Sequence, residues 1–172
     1  YEITTRLVGS EMCIRDRVQA QDGVSVESDT LGALLYPLEG DTFALDMVIK
    51  PERYHEFGIA LHVDKELETG YFLRMNPKNQ LVAWDMWPRG EQGRYQWQIK
   101  GDVPYQIETA RKLPKAEEYR VHIIKEKDIC VVYINDEIVL STRMYNHKDG
   151  YAGIYVVQGN VKLIQYKEKR SE

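Results

Sequence analysis

The feature that most constrains the fold of this chain is a strict alternation of apolar residues with polar or small ones. It is clearest in the runs DTFALDMVIK and HEFGIALHVD. The alternating apolar residues are Phe43, Leu45, Met47 and Ile49 in the first run, and Phe57, Ile59, Leu61 and Val63 in the second. A period of two puts such residues on one face of a half-buried antiparallel strand. The opposite faces carry Asp46, Gly58, Ala60 and His62, whose small members leave room for a ligand, a loop or a second sheet.

Similar short runs, separated by Gly, Pro, Asn and Asp, continue along the chain from Val18 onward. They are GVSVES, GALLYPL, DTFALDMVIK, HEFGIALHVD, GYFLRMN, QLVAWDMW, RYQWQIK, EYRVHIIKEK, DICVVYIND, EIVLSTRMY, GYAGIYVVQG and NVKLIQYK. Their spacing is typical of a sandwich or barrel, and no long helical pattern interrupts them. The segment ETARKLPKAEEY is the one longer connection. The sequence therefore predicts an all-β fold, an antiparallel β-sandwich of jelly-roll or concanavalin-like form.

The first residues do not follow this pattern. LVGSEMCIRD is the translation of CTC GTG GGC TCG GAG ATG TGT ATA AGA GAC, the common transposon-library sequencing adapter. We therefore interpret residues 1–17 as translated read-through that is excluded from fold reasoning. The gene is then expected to come from assembled shotgun reads, such as those of a metagenome, with its natural N-terminus lost. Residues 18–172 are predicted to form a single domain.

Charge and cysteine content bound the partners of the domain. The net charge is −4, and the adapter segment contains equal numbers of acidic and basic residues. A mildly acidic chain with no basic run argues against a nucleic acid or an anionic membrane as partner. Cys13 belongs to the adapter segment, so Cys130 is the single native cysteine and is expected to be a buried, inert thiol.

Motifs for catalysis are absent from the sequence. It has no Gly-rich phosphate loop, no GxSxG, no HExxH and no metal-ligand spacing of Cys and His. The histidines His55, His62, His122 and His147 are scattered, so a shared metal site is not expected. We expect no cofactor; a structural calcium ion is compatible with such a fold, but nothing in the sequence indicates one.

An aromatic and charged cluster is the strongest sign of a binding site. The stretch QLVAWDMWPRGEQGRYQW combines three tryptophans with Asp85 and Arg89. Sugars bind through aromatic faces that stack on their C–H groups and through fixed polar side chains that bond to their hydroxyls. Trp84 and Trp97 are expected in the core, where large aromatic residues usually lie, whereas Trp87, just before a proline, is the better candidate for an exposed platform.

Two arginines lie within predicted strands, Arg74 in YFLRMN and Arg143 in LSTRMY. An arginine at the centre of a strand needs either solvent or an acidic partner. Each could form a surface ion pair, donate to adjacent sugar hydroxyls, or orient Asp85.

The segment ICVVYINDEIVLSTRMYNHKDGYAGIYVVQG resembles the C-terminal β-sandwich of glycoside hydrolase family 32, the invertases, levanases and inulinases. That sandwich has a V-x-V-F-V-N-D strand, an L-T-S-R-I-Y-like strand and a Gly-containing final hairpin. FGIALHVDKELETGYFLRMNPKNQLVAWDMWPR looks like the same sandwich, so the likeness spans Asp22 to Tyr166. The module is also similar to carbohydrate-binding module family 66, which recognises fructan, especially the terminal fructose of levan. Arg143 matches the arginine of the L-T-S-R-I-Y strand.

The resemblance does not extend to the catalytic domain of that enzyme family. Its five-bladed propeller carries W-M-N-D-P-N-G, R-D-P and E-C motifs, none of which occurs here, and IRDR lies in the adapter segment. The resemblance therefore implies a non-catalytic fructan-binding module from a larger fructan-active glycoside hydrolase. The candidate carbohydrate-binding residues are Arg74, Asp85, Trp87, Arg89, Arg143 and Tyr145.

Two other functions remain open. The sandwich could instead stabilise a propeller domain without touching sugar, and a stand-alone glycan hydrolase or lyase on a concave sheet is the less favoured third reading. The expected partners are a polysaccharide or oligosaccharide and a catalytic glycoside hydrolase domain. Localisation cannot be read from the sequence, although binding of polysaccharide would favour an extracellular or cell-surface site.

Overall fold

A computed structural model describes residues 23–87 and 105–170 of the chain. This part contains ten β-strands, a single 3-10 turn at Pro77–Asn79 and no α-helix. The strands are β1 (Val24–Pro37), β2 (Thr42–Arg53), β3 (Glu56–Val63), β4 (Gly70–Asn76), β5 (Leu81–Trp87), β6 (Tyr105–Gln106), β7 (Tyr119–Glu126), β8 (Ile129–Ile134), β9 (Ile138–Arg143) and β10 (Tyr151–Arg170). The predicted all-β class is confirmed.

Every strand pairing is antiparallel, and the long β10 joins the two halves of the sandwich. The strand order is β6-β5-β4-β3-β10-β2-β7-β8-β9, with β1 paired to the other edge of β10. Tyr151–Val157 of β10 pairs with β3, whereas Asn160–Arg170 pairs with β2. Strands β3 to β6 therefore extend from one end of β10, and strands β2 and β7 to β9 extend from its other end. The register of β10 with β2 shifts between Asn160 and Val161, close to the point where β10 passes from one partner to the other.

The predicted runs correspond to these strands with two mergers. GVSVES and GALLYPL form the single strand β1, in which the register shifts between Ser28 and Leu31. GYAGIYVVQG and NVKLIQYK likewise form the single strand β10. The sequence predicts separate runs at both places, but pairing with a long partner strand keeps each backbone extended through a shift of register. RYQWQIK, Trp97 and residues 1–17 lie outside the described residues.

The main core fills the space between the two halves of the sandwich. The apolar residues of β2 are buried there, as the alternation predicts, together with Trp84 of β5. Cys130 also lies in this core, and burial raises the pKa of its thiol to about 12, so the thiol stays protonated and inert as expected.

The connection that follows β6 has no regular structure apart from an isolated bridge between Arg111 and Val82. This agrees with the prediction that ETARKLPKAEEY is a long connection between strands.

One residue of the predicted apolar face of β3 points the other way. Phe57, Ile59 and Leu61 lie in the main core, but Val63 belongs to a second apolar cluster on the opposite side of the sheet. His62 adopts a positive φ of 52°, and the register with β10 shifts at this point. The strict alternation predicted for Val63 is therefore wrong, because a bulge reverses the direction of the last side chain.

His62 is held neutral inside the fold. It is 2% exposed, its Nδ1 lies 3.3 Å from the carbonyl oxygen of Asp149, and its Nε2 has no hydrogen-bond partner among the described residues. Burial, and then the positive charge of Lys125, lower the pKa of His62 to about 4. Protonation of this ring would place an unpaired charge in the interior.

The stability of the fold should consequently depend on pH. The pKa of His62 in the folded state, about 4, is below its usual value of 6.5, so the unfolded chain binds the extra proton first. The contribution of His62 is present above pH 6.5 and is lost as the pH falls toward 4, by roughly 3 kcal/mol. Urea unfolding between pH 4 and 7 measures this loss. His62→Asn keeps a residue that tolerates positive φ and should flatten the dependence; an unchanged slope would exclude His62 as its source.

Candidate functional site

An aromatic cleft opens on the surface that β1, β3, β4, β5 and β10 present away from the main core. Its volume is about 270 Å³. The lining residues are Leu31, Glu56, Leu67, Phe72, Asp85, Trp87, Tyr155 and Val157. They come from five strands and from the turn between β3 and β4, so the cleft exists only once the sheet is assembled.

The floor of the cleft is formed by aromatic rings. The rings of Phe72 and Tyr155 meet edge to face, with centroids 5.6 Å apart and planes at 87°. Gly58 lies opposite Tyr155 in the strand register, and a Cβ atom there would stand 1.9 Å from the carbonyl oxygen of Leu73 and 3.0 Å from the ring of Tyr155. The absence of a side chain at Gly58 therefore lets the Tyr155 ring lie close to the sheet. Ala60 is buried in the second apolar cluster, so protein side chains fill the space predicted above that small residue.

Arg74 and Asp85 form a charged pair beside these rings. The Nε atom of Arg74 lies 3.4 Å from Oδ2 of Asp85, and the two side chains are 34% and 10% exposed. Burial raises the pKa of the Asp85 carboxyl, whereas the nearby Arg74 lowers it. The Arg74 Nε is buried and makes no hydrogen bond to the described residues. The charge of Asp85 offsets part of the cost of burying Arg74 Nε, and the exposed part of the Arg74 side chain can still donate to a polar ligand.

Glu56 and Tyr155 form a second polar contact in the cleft. The Tyr155 hydroxyl donates a hydrogen bond of 3.1 Å to Oε1 of Glu56. Burial, and then the charge of Glu56, raise the pKa of Tyr155 well above its usual value. The phenol therefore remains a donor, and the Glu56 carboxylate keeps further acceptor capacity toward a ligand.

The structure brings together three of the six candidate residues identified in the sequence. Asp85 and Trp87 line the cleft on β5, where Trp87 is half-buried, and Arg74 on β4 contacts Asp85. Arg89 lies outside the described residues. Arg143 and Tyr145 line a different cavity of about 350 Å³, together with Met86, which lies on the opposite face of β5 from Asp85 and Trp87.

Sequence reasoning missed several residues of the cleft, above all Glu56, Phe72 and Tyr155. The strand alternation carried a signal for the first two. Glu56 shares a face with Gly58 and Ala60, and Phe72 shares a face with Arg74. Only the pairing of β10 with β3 brings Tyr155 to them, and that pairing joins segments nearly a hundred residues apart in the chain.

Residues 23–87 and 105–170 contain neither a cluster of metal ligands nor a membrane-spanning helix. No group of three or more His, Cys, Asp or Glu side chains there could hold a metal ion. Within the same ranges, no helix has the length and apolar character needed to cross a membrane.

The architecture is that of an antiparallel β-sandwich, and solved structures share this fold. A carbohydrate-binding module 66 from Bacillus subtilis aligns over 91% of this chain and 92% of its own, with 16% identity and a TM-score of 0.70. An Aspergillus kawachii β-fructofuranosidase aligns over 88% of this chain and 28% of its own, with 13% identity and a TM-score of 0.59. Chicken galectin 2 aligns over 82% of this chain and 98% of its own, with 10% identity and a TM-score of 0.53.

These comparisons establish the fold. The likeness to carbohydrate-binding module family 66 and to the C-terminal sandwich of glycoside hydrolase family 32, expected from the sequence, is confirmed at the level of structure. No family model and no curated protein matches the chain. The chain spans about a quarter of the length of the β-fructofuranosidase.

Proposed function

We propose that this chain is a non-catalytic carbohydrate-binding module whose ligand is fructan, either levan or its terminal fructose, and that it serves a larger fructan-active glycoside hydrolase. The observation that carries the proposal is the aromatic cleft, in which ring faces adjoin the Arg74 and Asp85 pair. The structural likeness to a carbohydrate-binding module and to part of a β-fructofuranosidase supports the same function.

Binding would follow from the chemistry of the cleft. Trp87 and Phe72 are partly exposed and offer apolar ring surface to the C–H face of a sugar, while the buried Tyr155 supports Phe72 from below. Arg74 donates to ring hydroxyls, and the carboxylates of Asp85 and Glu56 accept from them. The site is largely preformed, because its side chains stand on paired strands. One small cleft gives modest affinity, which tethering to a catalytic domain would make useful.

Calorimetric titration of the chain with levan, inulin, xylan and short fructo-oligosaccharides tests the proposal. We expect saturable heat with levan or its oligomers. Trp87→Ala should weaken that binding about tenfold, because it removes one stacking surface from a half-buried position, while the melting temperature stays nearly unchanged.

Three results would contradict the proposal. Absence of heat with every saccharide would favour the structural role below, and xylan bound as tightly as levan would reject fructan as the ligand. Release of reducing sugar by the chain alone would instead indicate catalysis. A Tyr145→Ala variant is the matched aromatic control, because Tyr145 is 54% exposed and lies in the cavity on the other face of β5.

A second candidate function is stabilisation of a propeller domain. The outward face of β7, β8 and β9 carries large exposed apolar side chains, at exposures between 36% and 47%. They are Ile124, Ile129, Tyr133 and Val139. Tyr133 and Val139 face each other across neighbouring strands and are therefore adjacent on this surface. An apolar surface of this kind fits contact with another domain, and its strands are not those that line the aromatic cleft.

A further inference from the structure

A polar groove adjoins the aromatic cleft on the same side of the sheet. Its volume is about 610 Å³, and its lining includes Asp29, Tyr54, His55, Asn76 and Gln158. The groove and the cleft meet on three chain segments. The groove residues Asp29, His55 and Gln158 lie within two positions of the cleft residues, which are Leu31, Glu56 and Val157. On β4, Phe72 lines the cleft, Asn76 lines the groove, and Arg74 stands between them on the same strand face.

The groove lies where the regular strand pairing of β1, β10 and the β2–β3 connection is interrupted. The register of β1 with β10 shifts between Ser28 and Leu31, which leaves Asp29 outside the ladder. On β10, Gln158 has a positive φ of 49°, and β2 gives way to β3 at residues 54–55. The irregular backbone at these three places turns polar side chains outward. The regular strands next to the groove carry the rings of the cleft.

The chemistry of the groove complements that of the cleft. Asp29, His55 and Gln158 are exposed, and their side chains make no hydrogen bond or ion pair with other residues that the structure describes. The ring of Tyr54 is already covered, because Lys78 Nζ lies 4.6 Å from its centroid and donates a 2.7 Å hydrogen bond to its carbonyl oxygen. The groove therefore offers hydrogen bonds to hydroxyls, while the cleft offers ring stacking.

We propose that the polar groove is a second subsite for the same saccharide chain, so that the ligand is an oligosaccharide and not a single sugar. One unit occupies the cleft, and the following units pass Arg74 into the groove. The cleft alone, at about 270 Å³, falls below the roughly 300–1,000 Å³ typical of small-molecule sites, whereas the adjoining groove adds ample room. This inference rests on the proposed carbohydrate-binding function.

The test is calorimetric titration of the full chain with fructose and with levan-type oligosaccharides of two, three and four units. We expect affinity to rise at least about tenfold from fructose to the trisaccharide, as two or three added hydrogen bonds would give. An Asp29→Ala, His55→Ala double variant should lose most of that gain and bind fructose as the unaltered chain does. Glu117→Ala is the control, an exposed carboxylate outside both cavities.

The possible results separate the two proposals. Equal affinity for fructose and for every oligosaccharide would overturn the second subsite and leave the cleft as a single-sugar site. A double variant that weakens fructose and oligosaccharides by the same factor would also overturn it, because the groove would then not act on the added units. Absence of binding heat with every saccharide would overturn both the subsite and the proposed function. Circular dichroism of each variant establishes that the fold is retained.

Discussion

Arg74→Ala is expected to weaken saccharide binding by roughly 10- to 100-fold. A hydrogen bond from a charged group contributes about 1.5–3 kcal/mol, and every 1.4 kcal/mol changes the dissociation constant tenfold. Arg74 stands on β4 between Phe72 of the aromatic cleft and Asn76 of the polar groove, where its partly exposed side chain forms an ion pair with Asp85. Its loss would also leave Asp85 without the charge that lowers its carboxyl pKa. Titration with levan oligosaccharides measures the effect.

The controls for this variant separate binding from folding. Arg143→Ala removes an exposed arginine near the cavity on the other face of β5 and should change affinity by less than about twofold. Arg74→Gln keeps an amide donor and much of the side-chain stem, and should give an intermediate affinity. Unchanged binding by a folded Arg74→Ala variant would exclude the aromatic cleft as the saccharide-binding site. Loss of binding in Arg143→Ala would move the site to that other cavity.

Trp84→Ala is expected to lower the free energy of unfolding by about 3–5 kcal/mol. Trp84 has no exposed surface and is among the largest fully buried side chains of the main core. The truncation would leave a large cavity between the two halves of the sandwich, which surrounding strands cannot close without breaking their pairing. Such a loss is a large fraction of the stability of a small domain. Urea denaturation at pH 7 measures it.

Two comparison variants make the Trp84 result specific. The indole nitrogen of Trp84 is buried without a hydrogen-bond partner among the described residues, so Trp84→Phe forfeits volume but no hydrogen bond and should cost less than the alanine change. Val139→Ala, at a side chain 47% exposed, should change stability by less than about 0.5 kcal/mol. A Trp84→Ala cost below about 1 kcal/mol would contradict a tightly packed core.

The fold was predictable because strand alternation is a local property. The apolar face of β2 follows directly from its sequence, and so does the buried position of Trp84. The direction of Val63 did not follow, because the bulge at His62 depends on the register with β10 and not on neighbouring residues. The merging of two runs into β10 has the same cause, since a long partner strand overrides local turn preference.

The candidate site was predictable in part for a related reason. Asp85 and Trp87 stand two residues apart on one strand face, so their proximity is encoded locally. Arg74 joins them through the pairing of β4 with β5, a short hairpin-like connection. Tyr155 belongs to a distant strand, and its contact with Glu56 depends on the complete sheet order. Arg143 matched a family motif, yet a motif position carries no information about which cavity its side chain lines.

The position of β10 in the strand order has a consequence for how the chain reaches its folded state. This strand pairs with β1, β2 and β3, all of which precede it by a large part of the sequence. During synthesis those earlier strands leave the ribosome before β10, so the edges that later pair with β10 remain unpaired until it is made. Folding therefore depends on long-range loop closure, which is slow. The unpaired strand edges are the part of the nascent chain most exposed to aggregation.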